Sequence, residues 1–357
     1  YVWTRAQIAD GVGVDDGEWA ADLLGVTATG TFEFGASTLT LRSEPDDPQR
    51  WSRVRRQMLE ARATRPLPAR DDKVVASWNG LAIASLATAG VVFDEPSWIE
   101  AAREAADLLL TSHRSGRRLL RVSRAGQVGS APGMLEDYGN VISALLVLHA
   151  ATGETSWLAT AGELADVLMA EFSAGAADSA GAADSGGWYD APADPDGLLS
   201  RRYTPSDNAY PSGGSAGAAA LLTWSSLGFG AGGLESADLR RFCEARVLEQ
   251  EGVMRRHPRF AGGWLAVLAA LIAGPLELAL VGPAADDRTV ALRSAAFRAA
   301  PPGLAMARAS GAGGDTAAPL LVGRTVVAGE PAAYVCRNSV CQLPVTTAAD
   351  LTELLAE

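Results

Sequence analysis

Between residues 74 and 169 the apolar positions follow a helical period, and two kinds of helix alternate. The segment from Val74 into the low 90s is apolar nearly all round (Val74, Val75, Trp78, Leu81, Ile83, Leu86), which predicts a helix buried on every side. The next segment puts Trp98, Ala102, Ala105 and Leu109 on one stripe and leaves Arg103, Glu104 and Asp107 off it, as in a one-faced surface helix. The pair then recurs. "GLAIASLATAGVVFDEPSWIEAAREAADLLL" (80–110) aligns without a gap on "GNVISALLVLHAATGETSWLATAGELADVLM" (139–169). Gly80 falls on Gly139, Ile83 on Ile142, Leu86 on Leu145 and Ser97-Trp98 on Ser156-Trp157, all at an offset of 59. A buried helix, a short turn and a one-faced helix, repeated, predict a mainly α fold of αα-hairpins with inner and outer layers. Closing such an array into a ring removes its exposed ends, which favours a toroid over an open solenoid.

The connectors between hairpins differ from the turns within them. Residues 116–133 and 186–213 both read as β-hairpins with a Leu-Leu strand start, and both lead to a proline (Pro132, Pro211) expected in the first turn of the next helix. "AGAADSAGAADS" (174–185) is a tandem hexamer of small residues, expected as a flexible surface insertion. From Pro275 the texture changes: a strand over 276–282, a helix over 286–300, a second strand over 304–310, then "AYVCRNSVCQLPV" (333–345) and a helix over 347–355. The expected organisation is a leading segment of short strands and helices over 1–70, the hairpin array over 71–275, and a small α/β unit over 276–357.

Charge and cysteine usage narrow the function. A formal charge of −12 opposes binding to nucleic acid or to an anionic membrane, and no apolar window has the length of a membrane span. Three cysteines are too few for a disulfide framework, which suits a reducing, cytoplasmic setting. Cys336 and Cys341, with four residues between them, read as packed reduced thiols, a redox pair or ligands for a soft metal. The chain opens "YVWTRAQI", read as the end of a strand, so the natural N-terminus is expected upstream.

If the inner helices run parallel, their starts share one mouth. Those starts carry "RDDK…WN" (70–79), "MLEDYGN" (134–140) and "SDNAYPSGGS" (206–215). Asp71 or Asp72 with Glu136 or Asp137 are then candidates for general acid and base. Lys73, Trp78, Asn79, Tyr138, Trp188, Tyr189, Asp207, Tyr210, Ser212 and Ser215 are candidates for binding a saccharide, because aromatic faces stack on pyranose rings. The competing reading makes the carboxylates helix caps and Arg70 or Lys73 with Asp71 or Asp72 a plain ion pair. His113, His149 and His257 are too dispersed for a metal site, and no strand leads into a phosphate-binding glycine loop, so neither metal nor cofactor is expected.

Five stretches in order, "RDDKVVASWNGLAIASLA", "GMLEDYGNVISALL", "GGWYDAP", "DNAYPSGGSAGAAALL" and "AYVCRNSVCQLPVT", resemble landmarks of the thioredoxin-domain-containing proteins related to spermatogenesis-associated protein 20. The resemblance spans essentially the whole chain and implies an (α/α)6-type, six-hairpin-glycosidase-like toroid, incomplete in this fragment, that follows an upstream thioredoxin-like domain of the same protein. It assigns no catalytic residues. It leaves two functions in play: a carbohydrate-active or carbohydrate-binding toroid, or a non-hydrolytic module that binds a partner for the redox domain. One departure stands out: Gly214 occupies a place where the family usually has Asn.

Overall fold

The computed structural model describes residues 1–173, 187–193, 201–310, 318–338 and 340–356. The expected insertion over 174–185 lies outside them. The chain forms two compact units, Tyr1–Asp71 and Asp72–Glu357.

In the first unit, β1 (Val2–Trp3) pairs antiparallel with β2 (Ser37–Thr38) beside α1 (Arg5–Val12), α2 (Val14–Leu23) and α3 (Pro48–Ala63). Its core is Trp3, Ile8, Ala20, Leu24, Val54 and Met58. Asp47 caps α3 ahead of a proline at the first helical position, where the missing N–H has no partner to lose. Asp16 accepts from Arg50 Nε at 2.7 Å and Arg53 Nη2 at 2.9 Å, and these arginines, Arg53 first, hold its carboxyl below the usual aspartate range.

The second unit is mainly α. Strand β3 (Lys73–Val75) leads into α4 (Ala76–Val92), and a tight turn leads on to α5 (Pro96–Ser112). Strands β4 (Arg114–Ser115), β5 (Arg118–Leu119), β6 (Val122–Arg124) and β7 (Gln127–Val128) make the connector to α6 (Leu135–Thr152) and α7 (Ser156–Phe172). After the second connector come α8 (Gly213–Ser226), α9 (Ser236–Leu248), α10 (Glu251–Arg256) and α11 (Gly262–Ala273). Helices α4, α6 and α8 stand side by side, each backed by its hairpin partner α5, α7 or α9.

The repeat has a direct steric meaning. A Cβ on Gly80 would lie 2.7 Å from the Asn140 carbonyl carbon, and one on Gly139 would lie 2.6 Å from that of Ala216. The repeated glycine lets each inner helix approach the backbone of the next. The same step places Ser215 on α8 against Gly263 at the start of α11, so α11 is a fourth inner helix beside the first three. All three contacts join helix starts, so the starts share one end. The tight turns also repeat: Asp94 (φ 58°) and Gly153 (φ 82°) take the left-handed conformation that closes each hairpin.

Several expectations are corrected. Val74 and Val75 belong to β3, and α4 is not buried all round: Trp78, Ala82 and Ser85 are exposed, because α4 is the end of the described row. For the same reason Trp98 is 39% exposed, whereas its repeat partner Trp157, in the interior hairpin, is buried. The buried stripe of α5 runs through Ala106, not Ala105. The first connector has its β-hairpin, β6 to β7, which also pairs with β3. In the second, the Asp190 N–H donates to the Arg202 carbonyl at 2.7 Å, and the Leu-Leu pair lies outside the described residues. Neither proline is in a first turn, since Met134 and Ser212 hold the capping positions and Pro132 pairs with Leu120.

The C-terminal elements form one sheet, β11-β10-β8-β9. Strand β8 (Leu276–Val281) runs parallel to β9 (Leu304–Ala309) with α12 (Asp287–Ala299) between them. Strands β10 (Ala332–Arg337) and β11 (Val340–Cys341) add antiparallel, and α13 (Ala348–Ala356) ends the chain's elements. Alternation decides which face packs where. Leu276, Leu278, Leu280 and Met306 face α12 and α13, while Ala279, Val281, Ala305 and Ala307 join the core of the inner helices. Arg308 on β9 donates to the Ala151 carbonyl at 2.7 Å and Arg293 on α12 to the same oxygen at 3.1 Å, so two cations cover the negative end of α6. Burial, then Arg293, lowers the Arg308 pKa to about 10.

Candidate functional site

Asp137 is the third residue of α6 and fully buried. Its Oδ1 accepts the Ser77 N–H at 2.8 Å; its Oδ2 accepts the Met134 N–H at 2.8 Å and Arg121 Nη1 at 2.9 Å. One carboxylate therefore fastens the start of α4 to that of α6. Burial pushes its pKa upward, opposed by Arg121 and the two backbone donors. Burial also opposes the charge on Arg121, but Asp137 and Glu136 outweigh it and raise its pKa. Glu136 accepts from the other terminal nitrogen of Arg121.

Asp207 repeats the device one step along. Its Oδ1 accepts from the Ser212 N–H at 2.8 Å and the Ser215 hydroxyl at 2.7 Å, and its Oδ2 from the Gly263 N–H at 2.7 Å. It fastens α8 to α11. Ser212 and Ser215 complete the cap of α8, with the Ser215 N–H donating to Ser212 Oγ at 3.3 Å.

The remaining predicted residues separate. Asp72 accepts from Arg124 Nε at 2.6 Å on the β3–β6 surface, beside the exposed Lys73. Asp71 is exposed and closes the first compact unit. Asn79 Nδ2 donates to the Val75 carbonyl at 2.9 Å. Two of the aromatic residues expected at the mouth are core residues: the Tyr138 hydroxyl accepts the Leu119 N–H at 2.9 Å, and Trp188 is fully buried with its ring 5.3 Å from Phe242. Burial raises the Tyr138 pKa to about 12. The Tyr189 ring is covered by Arg201 at 3.9 Å. Trp78 and Tyr210 do come together, edge to face at 6.4 Å, with Trp78 46% exposed.

The concavity lies elsewhere. A cavity of about 560 Å³ runs along the inner helices, walled by Leu81, Leu146, Val147, Leu222, Val267 and Phe297. Residues 81 and 88 of α4, 140 to 150 of α6, 215 to 226 of α8 and 263 to 270 of α11 line it in the same order, as parallel helices require. Residues of α12 and β9 (Ala296, Leu304, Met306) line it as well. Of the predicted residues, Ser215 alone reaches it.

Two polar groups in this wall lack protein partners. Asn140 is only 4% exposed, and its Nδ2 is an orphan donor. Arg240 on α9 is half-buried and makes no hydrogen bond or ion pair with a described residue; Glu244 and Glu277 act on it only at longer range, and burial lowers its pKa. Unpaired buried polar groups are costly, which sets both apart from the paired carboxylates of the helix starts. Sequence reasoning missed both. The repeat carried a signal for Asn140, which stands where the first copy has Leu81, as Ser143 stands where it has Ala84. Nothing in the pattern around Arg240 sets it apart from its neighbour Arg241.

Of the three readings of Cys336 and Cys341, packed reduced thiols is the one corrected: they face each other in register on β10 and β11 and are joined as a disulfide, while Cys243 is a buried free thiol whose pKa burial raises to about 12. His113 is satisfied: Nδ1 pairs with the Leu120 carbonyl at 3.1 Å and Nε2 with the Ser123 hydroxyl at 2.8 Å. His149 Nε2 accepts the Arg308 N–H at 3.1 Å. Gly214 also has a local reason, since a Cβ there would lie 2.6 Å from the Tyr203 hydroxyl and 2.8 Å from the Trp264 ring. No described helix is long and apolar enough to cross a membrane.

No family model matches the chain. Human (Homo sapiens) spermatogenesis-associated protein 20 is 28% identical over 311 residues, covering 84% of this chain and 38% of the human protein. The protein of the same name from Rattus norvegicus is 36% identical over 120 residues, 31% of this chain and 15% of the relative. That from Mus musculus is 34% identical over 119 residues, 30% of this chain and 15% of the relative. The chain thus spans well under half the length of the curated relatives it matches.

Proposed function

Proceeding from a chain that belongs with the spermatogenesis-associated protein 20 family, we propose that its helical unit is a non-hydrolytic ligand-binding module. The ligand is a small amphiphilic anion lying in the cavity along the inner helices. Its body meets Leu81, Val147, Leu222 and Phe297, and its anionic group meets Arg240. The volume and mostly apolar lining suit a small-molecule site with a few polar anchors. The observation that carries this reading is the division of labour among charged groups. The rim carboxylates Asp137 and Asp207 have their partners within the fold, whereas the cavity's donors do not.

A hydrolase reading asks for two carboxylates flanking a bond, roughly 5–5.5 Å or 6.5–9.5 Å apart and free to exchange protons. Glu136 and Asp137 instead share the guanidinium of Arg121. Saccharide binding without hydrolysis is the second reading, favoured by the Trp78–Tyr210 pair, since Leu81 and Pro211 close by in sequence line the cavity. Service to an upstream redox domain is compatible with either ligand.

Thermal-shift titration of the chain with dodecanoate and, separately, with cello- and malto-oligosaccharides tests the proposal. Dodecanoate is expected to raise the melting temperature saturably, and Arg240→Gln to weaken that response about tenfold, the worth of one charge-assisted hydrogen bond. A shift with oligosaccharides alone, abolished by Trp78→Ala, would replace the amphiphile with a sugar.

A further inference from the structure

A second cleft of about 380 Å³ opens beside the C-terminal sheet, lined by Arg240, Glu277, Arg324 and the Cys336–Cys341 disulfide. The two sulfurs are not equivalent. Cys336 is 1% exposed on the paired strand β10, while Cys341 on the edge strand β11 is exposed. Arg324 Nη2 lies 3.2 Å from Cys336 Sγ and 3.1 Å from Cys341 Sγ, and its other terminal nitrogen donates to the Leu320 carbonyl. No carboxylate among the described residues forms an ion pair with this guanidinium. A cation held against a disulfide stabilises the thiolate released when the bond opens, and a low-pKa thiolate leaves faster. The neighbouring carboxyl, Glu277, is held above the ordinary glutamate range by burial, opposed by Arg240 and Arg324. The third cysteine, Cys243, is fully buried, and burial outweighs Arg240 and Arg246 to raise its pKa.

We propose that Cys336–Cys341 is a thiol–disulfide exchange site whose co-substrate is an accessible dithiol. A thiolate of the co-substrate attacks the exposed Cys341 Sγ. The Sγ–Sγ bond breaks, its electron pair leaves on Cys336 Sγ, and Arg324 holds that thiolate. The second thiol of the co-substrate, deprotonated, attacks the mixed disulfide and releases Cys341 as a thiolate. Two electrons have then passed to the chain, two protons have left the dithiol, and the co-substrate departs as its own disulfide. Arg324 is the positioning residue of this step.

The test uses the whole chain with dithiothreitol as reductant and 5,5′-dithiobis-(2-nitrobenzoate) as thiol probe. We expect dithiothreitol to open the bond with the melting transition retained, giving one rapidly labelled thiol, the exposed Cys341, and a slower one, Cys336, besides the buried Cys243. Cys336→Ser is expected to keep one fast thiol, and Cys341→Ser to leave only slow ones. Arg324→Gln is expected to move the pH midpoint of labelling up by about one unit, a roughly tenfold slower reaction at neutral pH, with Arg324→Lys restoring most of it. The proposal is overturned if both sulfurs label without reductant. It is also overturned if the bond opens only in denaturant, or if both Arg324 variants label exactly as the parent does.

Discussion

The rim and the wall of the inner helices use polar residues in opposite ways. At the rim, Asp137 and Asp207 each hold two neighbouring helix starts together, and every oxygen has a donor on the backbone, a hydroxyl or Arg121. In the wall, Arg240 lines a cavity with no hydrogen bond or ion pair to a described residue, and the Asn140 amide donor is enclosed without a partner. The lesson is that residue type alone misleads. Asp137 and Asp207, which looked like site acids, are fasteners, and the charged group open to the proposed ligand is the Arg240 guanidinium.

The sharpest way to break this contrast is at the rim. Asp137→Ala leaves two backbone N–H groups without an acceptor and Arg121 with Glu136 alone, and is expected to destabilise the helical unit by about 3–5 kcal/mol, read by urea unfolding. If the loss were under 1 kcal/mol, the carboxylate would not be a fastener. Next comes the close approach the rim permits. Gly139→Val should cost about 1–3 kcal/mol or more, because its side chain would enter the α8 backbone at Ala216. Arg240→Gln should move stability by less than about 1 kcal/mol while reducing anion affinity about tenfold. Smaller still, Asp72→Asn removes an exposed pair with Arg124 and should change stability by less than about 1 kcal/mol and binding not at all.

Acid sharpens the same theme in the first unit. Asp16, depressed by Arg53 and Arg50, contributes stability that is present above its unfolded pKa and lost as pH falls through its lower folded value. Below a pH of about 4 the first unit should therefore weaken, and Asp16→Asn should flatten that part of its stability curve, measured by circular dichroism against pH.

Much of the fold was legible because the repeat is a steric pattern. Gly80 and Gly139 are the points where helices touch, and the hairpin turn repeats at Asp94 and Gly153. The βαβ order of the C-terminal elements followed from short apolar runs flanking an amphipathic segment. The fourth inner helix was not legible: "GGWLAVLAALIA" has no repeat partner, and only Asp207 and the Gly263 contact reveal its place. The rim carboxylates were located but their partners were not. Arg121 lies on a connector 15 and 16 residues away from them, beyond any local spacing rule. Tyr138 and Trp188 were read as a sugar platform because sequence gives ring type but not direction. The disulfide was equally hidden, since Cys336 and Cys341 meet only when β11 folds back on β10.

The most direct test is a calorimetric titration of dodecanoate into the parent chain, Arg240→Gln and Asp72→Asn under identical conditions. The account predicts equal affinity for the parent and Asp72→Asn, and about tenfold weaker binding for a folded Arg240→Gln. Unchanged binding in Arg240→Gln, with loss in Asp72→Asn, would return the site to the rim and contradict it.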